Sequence, residues 1–306
     1  MKVLVPEVPL LHEMEPLPAS VELVSEPAPD VEMLVLAREL SDDLPALFKR
    51  LPGLRMVQSF SAGVDSLLPL IPQGVVLCSA VGVHDASVSE WVVGAILAMQ
   101  RRLPEFVELQ RHAEWNRSVI DGVTDIEGRT VLVVGYGSIG RALAARLAPF
   151  GARVVGVAAH SRGDAHPTEA LPLLLPEADV VVNLLPLTPQ TEKFMDSTFF
   201  AHMKPGALLV NAGRGRTVDT QALHDALNAG RIRAAVDVTD PEPLPSDHPL
   251  WRAPNLLITP HIAGSVAEWE RRAYRFAGEQ IRRYASGQQL LGIQAGNTQA
   301  SDGLAI

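Results

Sequence analysis

Along the chain, short runs that are apolar at every position alternate with stretches whose apolar residues recur every three or four places. The first third carries KVLV, MLVLA, LRMVQSF and VVLCS; the middle carries TVLVV, RVVGV, DVVVNLL, GALLVN, IRAAVDV and LLITP. A run without polar alternation reads as a strand buried on both faces, and such strands separated by helices predict parallel sheets in an α/β fold. Two longer helical patterns interrupt the rhythm. One covers about Ser87 to Arg111 and is broken near Pro104; the other covers about Ser265 to Ser286. They bracket the central strands, which predicts a domain at 103–282 inserted into one built from 1–102 and 283–306. The long helices would be the crossovers, with a cleft between the domains.

A length of 306 residues agrees with two domains. Hydrophobic residues at 47% and charged residues at 20% describe a soluble globular chain. A net charge of −9 argues against nucleic-acid and anionic-membrane partners. Cys78 is the only cysteine, so neither an internal disulfide nor a cysteine-based zinc site can form. Its place in VVLC predicts a buried, inert thiol. Pro6, Glu7 and Pro9 break any secretion signal in MKVLVPEVPLL, and WVVGAILAM is far shorter than the ~20 residues of a membrane span. The expectation is a cytoplasmic protein. With no His, Asp or Glu at ligand spacing, no metal is expected.

Residues 135–140 read GYGSIG. Three glycines so spaced arise by chance in roughly one chain of this length in ten, with glycine at about 7% of residues. Context decides the matter. TVLVV precedes the glycines; Ile139, Leu143, Leu147 and Phe150 then recur at helical spacing, and ARVVGV follows as the next strand. In such a βαβ unit Gly135 permits the tight turn, Gly137 close approach of a pyrophosphate, and Gly140 close packing of helix on strand. The helix N-terminus supplies free N–H groups to the phosphates. About 20 residues further on, an NAD site usually has a carboxylate for the ribose hydroxyls. VVGVAAHSRG has none before Asp164, and offers His160, Ser161 and Arg162 instead. Arginine suits a 2′-phosphate, so the stretch favours NADP(H) and leaves NAD(H) open.

Three polar residues stand after strands of the same block: Arg214 in LLVNAGRGRTVD, Glu242 in AAVDVTDPEPLP and His261 in LLITPHIAG. Singly, each has an ordinary explanation as a loop cation, a surface acid and a capping histidine. Together with GYGSIG, NLLPLTPQTEKFM, MKPGALLVNAGRGRTVDTQALHDAL, AAVDVTDPEPLPSDHPLW and PNLLITPHIAG, in that order and spacing, they make the chain resemble the D-isomer-specific 2-hydroxyacid dehydrogenase family.

That resemblance implies two doubly wound parallel-sheet domains, a Rossmann cofactor domain inserted into a flavodoxin-like substrate domain. It implies hydride transfer between NAD(P)(H) and C2 of a small 2-keto or 2-hydroxy acid of D configuration, glyoxylate or hydroxypyruvate being the expected substrates. Arg214 would bind the substrate carboxylate and polarise the carbonyl. His261 would deliver the proton, and Glu242 would orient the imidazole and pair with its charged form. The backbone of Ala62, Gly63 and Val64, in SFSAGVDSL, would hold the carboxylate as well. Besides the glycines, Tyr136, Ser138, Ile139, Leu185, Pro186, Thr191, Ala212, Asp237 and Gly264 fall at cofactor positions, Asp237 at the nicotinamide carboxamide. Glu90 and Trp91 would be packing residues, and the region of Trp115 reaches a neighbouring subunit's site in some relatives. A homodimer is implied. Asn183 stands where many members have histidine, and Thr239 where phenylalanine is common. The same chemistry with NAD(H) on another 2-hydroxy acid, or a dinucleotide-sensing corepressor-like interaction protein, are the alternative readings.

Overall fold

The computed structural model describes residues 1–5, 10–36, 43–118, 122–159 and 165–295. Among these, thirteen strands form: β1 (Lys2–Leu4), β2 (Glu22–Val24), β3 (Val31–Leu36), β4 (Met56–Ser59), β5 (Val76–Cys78), β6 (Thr130–Val134), β7 (Arg153–Ala158), β8 (His166–Pro167), β9 (Val180–Asn183), β10 (Leu208–Asn211), β11 (Arg233–Val236), β12 (Leu256–Ile258) and β13 (Ile293–Ala295). The α-helices are α1 (Leu44–Lys49), α2 (Asp85–Gln100), α3 (Leu103–Arg111), α4 (Ser138–Leu147), α5 (Leu171–Leu174), α6 (Ser197–His202), α7 (Thr220–Asn228) and α8 (Trp269–Ala285).

Two compact units result, Met1–His84 joined by the segment from Ala267 onward, and Asp85–Val266. The first unit holds one sheet in the order β13-β5-β4-β3-β1-β2, parallel except for β13, which pairs antiparallel with β5. Its first five strands follow the flavodoxin-like order 2-1-3-4-5. The second unit's sheet is parallel throughout, in the order β12-β11-β10-β9-β6-β7-β8. Counted within that unit the order is 3-2-1-4-5-6 with a seventh strand added, the dinucleotide-binding arrangement, and its switch point lies between β6 and β9.

The unbroken apolar runs behave as their pattern demands. All five residues of β6 are buried. Val131 and Val133 pack on one face with Val92, Ile96, Leu143 and Leu147 of α2 and α4. Leu132 and Val134 pack on the other with Phe199, Leu223 and Leu227 of α6 and α7. Successive strand residues point to opposite faces, so only a run apolar at both parities can be sandwiched between two helical layers.

Some expectations shift. The joints fall at 84/85 and 266/267 rather than at 102/103 and 282/283. Helix α2 lies against α4, β10 and β11 of the second sheet, and α8 places Ala273, Tyr274, Ala277 and Ile281 in the first unit's core. A helical pattern states which face is apolar and not which sheet receives it. The break expected near Pro104 comes at Arg102, whose backbone is left-handed (φ +53°), and Pro104 sits in the first turn of α3 where its missing N–H is harmless. Phe150 leaves the apolar stripe of α4 and is 41% exposed. Glu90 is exposed and ion-paired with Arg146 (3.4 Å), not packed, while Trp91 does join the core. Among the described residues no helix is long and apolar enough to cross a membrane.

Cys78 is fully buried in β5, and that burial pushes its thiol up to about 12. At pH 8 the native protein is expected to leave a thiolate-directed colorimetric reagent nearly unreacted, with about one equivalent consumed only after denaturation. Fast labelling of the native chain would contradict this burial.

Candidate active site

Parallel strands deliver all their carboxyl-terminal loops to one edge of the sheet, and in the second unit those loops carry most of the candidate residues. The first follows β6. Gly135 has a left-handed backbone (φ +94°), and its N–H and that of Tyr136 both donate to Val157 O (2.9 Å each). A Cβ at Gly135 would lie 2.7 Å from the carbonyl carbon and oxygen of Leu184, so nothing larger than glycine fits between the ends of β6 and β9. Gly137 N-caps α4 with no side-chain hydrogen bond, and among the described residues the N–H groups of Ser138 and Ile139 have no protein acceptor. A Cβ on Gly137 would meet nothing within 4 Å, whereas one on Gly140 would meet Tyr136 and Val133 at 3.1 and 3.3 Å. The Tyr136 ring lies over Gly156 of β7. An uncapped helix N-terminus beside open space fits a pyrophosphate.

The loops after β9, β10 and β11 continue this close stacking. A Cβ on Gly213 would lie 2.8 Å from Leu185 O, and one on Gly215 only 1.9 Å from Thr239 O. Between these glycines stands Arg214, half-buried and extended (φ −136°), held by a buried polar network. Asn183 Nδ2 donates to Asn211 Oδ1 (3.0 Å) and Thr217 Oγ1 (2.6 Å). Thr217 Oγ1 and Asn211 Nδ2 donate in turn to Arg214 O (2.7 and 3.3 Å), and Gly213 N donates to Asn211 Oδ1 (3.1 Å). All three network side chains are buried. The sequence marks Asn183 only as standing where histidine is common, and Asn211 and Thr217 are not among its candidates. Asn183 and Asn211 carry a signal as polar residues ending otherwise apolar strands; Thr217, in the turn beyond Arg214, carries none.

His261 follows β12. Its backbone is left-handed (φ +55°), rare for a non-glycine residue, and its N–H donates to Asp237 O (2.7 Å). Its Nδ1 lies 2.5 Å from Glu242 Oε1, the two side chains being 50% and 41% exposed. Buried Asp237 fastens this loop. Its Oδ1 accepts from Thr259 Oγ1 (2.5 Å) and Ile262 N (2.9 Å), and its Oδ2 from Ala263 N (2.8 Å). In this structure Asp237 therefore organises the backbone around His261 and Gly264. Thr239, which replaces the common phenylalanine, donates its hydroxyl to Pro241 O (2.9 Å) beside Glu242.

Of the remaining candidates, Leu185 N donates to Asn183 Oδ1 (3.1 Å), Ala212 N to Asn183 O (3.1 Å), and Thr191 Oγ1 to Pro186 O (2.6 Å), closing the turn after β9. His160, Ser161 and Arg162 lie outside the described residues. Ala62, Gly63 and Val64 belong to the first unit, after β4, where their N–H groups donate to no protein acceptor among the described residues. Trp115 is 96% exposed. The second unit thus brings together an anion cradle, a cation and a carboxylate-bound imidazole at one sheet edge. Such a set can hold a dinucleotide, bind an anionic oxygen and move a proton.

Residues 93–263 match the family model of the D-isomer specific 2-hydroxyacid dehydrogenase, NAD binding domain. The chain is 37% identical over 264 residues to glyoxylate/hydroxypyruvate reductase B of Escherichia fergusonii, covering 82% of this chain and 80% of that one. It is 35% identical over 268 residues to D-3-phosphoglycerate dehydrogenase of Mycobacterium tuberculosis, covering 85% of this chain; it spans about half (50%) of that longer relative. Among solved structures, an NADPH-dependent glyoxylate/hydroxypyruvate reductase of Sinorhizobium meliloti in complex with NADP and sulfate superposes with a TM-score of 0.81. The sequence identity is 26%, covering 96% of this chain and 97% of that one.

The network behind Arg214 makes a prediction. Asn183→Leu leaves Leu185 N, Asn211 and Thr217 without their buried partner, so urea unfolding should show a loss of about 2–3 kcal/mol. A loss below about 0.5 kcal/mol would mean that the network does not carry the loop.

Proposed function

The chain belongs to the D-isomer-specific 2-hydroxyacid dehydrogenases, NAD(P)-dependent oxidoreductases, and from that premise we propose that it reduces a small 2-keto acid, glyoxylate or hydroxypyruvate, with NADPH. The observation that carries the reading is the 2.5 Å contact between His261 Nδ1 and Glu242 Oε1, on the sheet edge that also bears Arg214 and the glycine cradle. With Nδ1–H donated to the carboxylate, the ring orientation is set and Nε2 is the nitrogen left to carry the transferable proton. Reduction builds negative charge on the carbonyl oxygen. The Arg214 guanidinium binds the substrate carboxylate and stabilises that charge, and His261 Nε2 gives the oxygen its proton; oxidation runs these roles in reverse. A reduced nicotinamide, when bound, supplies the hydride. Ser138 and Ile139 would hold its pyrophosphate by their N–H groups, and Ala62, Gly63 and Val64 are the proposed backbone donors to the substrate carboxylate.

Preference for NADPH over NADH rests on the HSR stretch at 160–162, which lacks the ribose-binding carboxylate, and on the cofactor of the Sinorhizobium meliloti relative. The chain is further proposed to act as a homodimer. No side chain of α3 is fully buried, and Leu103, Val107 and Trp115 are exposed apolar groups in sequence reach of one another.

Four outcomes are expected. With glyoxylate and hydroxypyruvate, kcat/KM should be higher for NADPH than for NADH; a preference of about tenfold for NADH would overturn the cofactor assignment. Arg162→Ala should raise the KM for NADPH by about tenfold and leave that for NADH in place, whereas an unchanged ratio would remove the assigned contact. His261→Asn, which tolerates the left-handed backbone, should lower kcat by about 10²–10⁴-fold with dinucleotide binding retained. Light scattering should return twice the chain mass.

A further inference from the structure

Asp85 opens α2 and Ser138 opens α4, two helices of the same unit that pack together. The Ser138 hydroxyl donates to Asp85 Oδ2 in a short contact, and both residues are half-buried. A carboxylate at the start of α2 is favoured by that helix's own dipole, and Ser89 Oγ anchors the same turn on Asp85 O (2.5 Å). Neither effect requires the carboxylate to reach a second helix 53 residues away in sequence. Yet it does so, at the N-terminus of α4, where Gly137 has open space beside it and the first N–H groups have no acceptor among the described residues.

We propose that Asp85 is a positioning residue that holds dinucleotide affinity down by acting through Ser138. The inference rests on the reading of GYGSIG as the pyrophosphate cradle. A serine hydroxyl has one proton. Donated to Asp85, that proton is not offered to a phosphate, which then meets only oxygen lone pairs. The carboxylate also places a negative charge beside a group that is itself anionic, opposing the positive end of α4. Both effects weaken binding at the pyrophosphate, which NADPH and NADH share, and leave the 2′-position untouched. An enzyme that exchanges its dinucleotide at every turnover gains from such restraint when release limits the rate.

Calorimetric titration of the full chain with NADPH and with NADH tests the proposal without reference to activity. Asp85→Asn removes the charge at nearly constant shape. Asp85→Ser also removes it while keeping a residue suited to a helix start, which guards against a variant that does not fold. Both are expected to tighten Kd about fivefold at low salt, by the same factor for the two dinucleotides, with the gain shrinking at high salt. Adding Ser138→Ala to Asp85→Ser should return part of the gain, because the shorter side chain at 85 frees the hydroxyl that this second change removes. Unchanged or weaker binding in both folded variants would overturn the proposal and leave Asp85 with a structural role. A wild-type chain that binds neither dinucleotide would instead overturn the cradle on which it rests.

Discussion

Backbone touching backbone is the constraint on which the site depends. The loops after β6, β9, β10 and β11 are stacked so closely that three contacts admit no side chain: Gly135 on Leu184, Gly213 on Leu185 and Gly215 on Thr239. These contacts form a row across neighbouring strands, and Asp237 extends the row to the β12 loop through Ile262 N and Ala263 N. Arg214, Glu242 and His261 each stand on a loop whose neighbour it cannot leave without opening a close contact or stripping donors from a buried carboxylate. Pre-organisation here comes less from these three side chains than from the absence of side chains between their loops.

The same parallel arrangement polarises the sheet. Its carboxyl edge faces helix N-termini, while the opposite edge receives helix C-termini and their unpaired carbonyls. Arginines cover that far edge. Arg231 donates to Ala201 O and Met203 O at the end of α6, and Arg233 donates to Met99 O and Gln100 Oε1 at the end of α2. Burial holds Arg233 below its usual range, yet its three protein acceptors give the guanidinium a reason to be there. In a chain of net charge −9, cations thus cap carbonyls at one edge, while the α4 N-terminus at the other has no side-chain cap.

Much of this was legible in the chain. The β6–α4–β7 unit follows from local pattern, because a double-parity apolar run and a helical repeat are short-range properties. Arg214, Glu242 and His261 were readable as a set because each stands in the loop after a recognisable strand. What escaped was pairing between strands. Asn183, Asn211 and Thr217 lie 28 and 34 residues apart across their hydrogen bonds, and nothing nearby in sequence marks them as partners. Asp237 is expected at a nicotinamide from its place in the sequence, but its hydrogen bonds from Thr259 Oγ1, Ile262 N and Ala263 N, 22, 25 and 26 residues away, have no local mark there. The joints were misplaced for a similar reason: the apolar stripe of α2 fits either sheet, and three-dimensional packing alone selects the second.

The division of the first unit between two distant parts of the chain has a consequence during synthesis. Its core needs Tyr274, Ala277 and Ile281 of α8, and its sheet is edged by β13. The second unit is one uninterrupted stretch, Asp85–Val266. On a ribosome, β1 to β5 therefore stay without their core and their edge strand until α8 and β13 have emerged, while the intervening unit can already be complete. The birth order of the chain and the completion order of its units are opposite, which leaves the early strands β1 to β5 as the segment most exposed to wrong pairing in the cell.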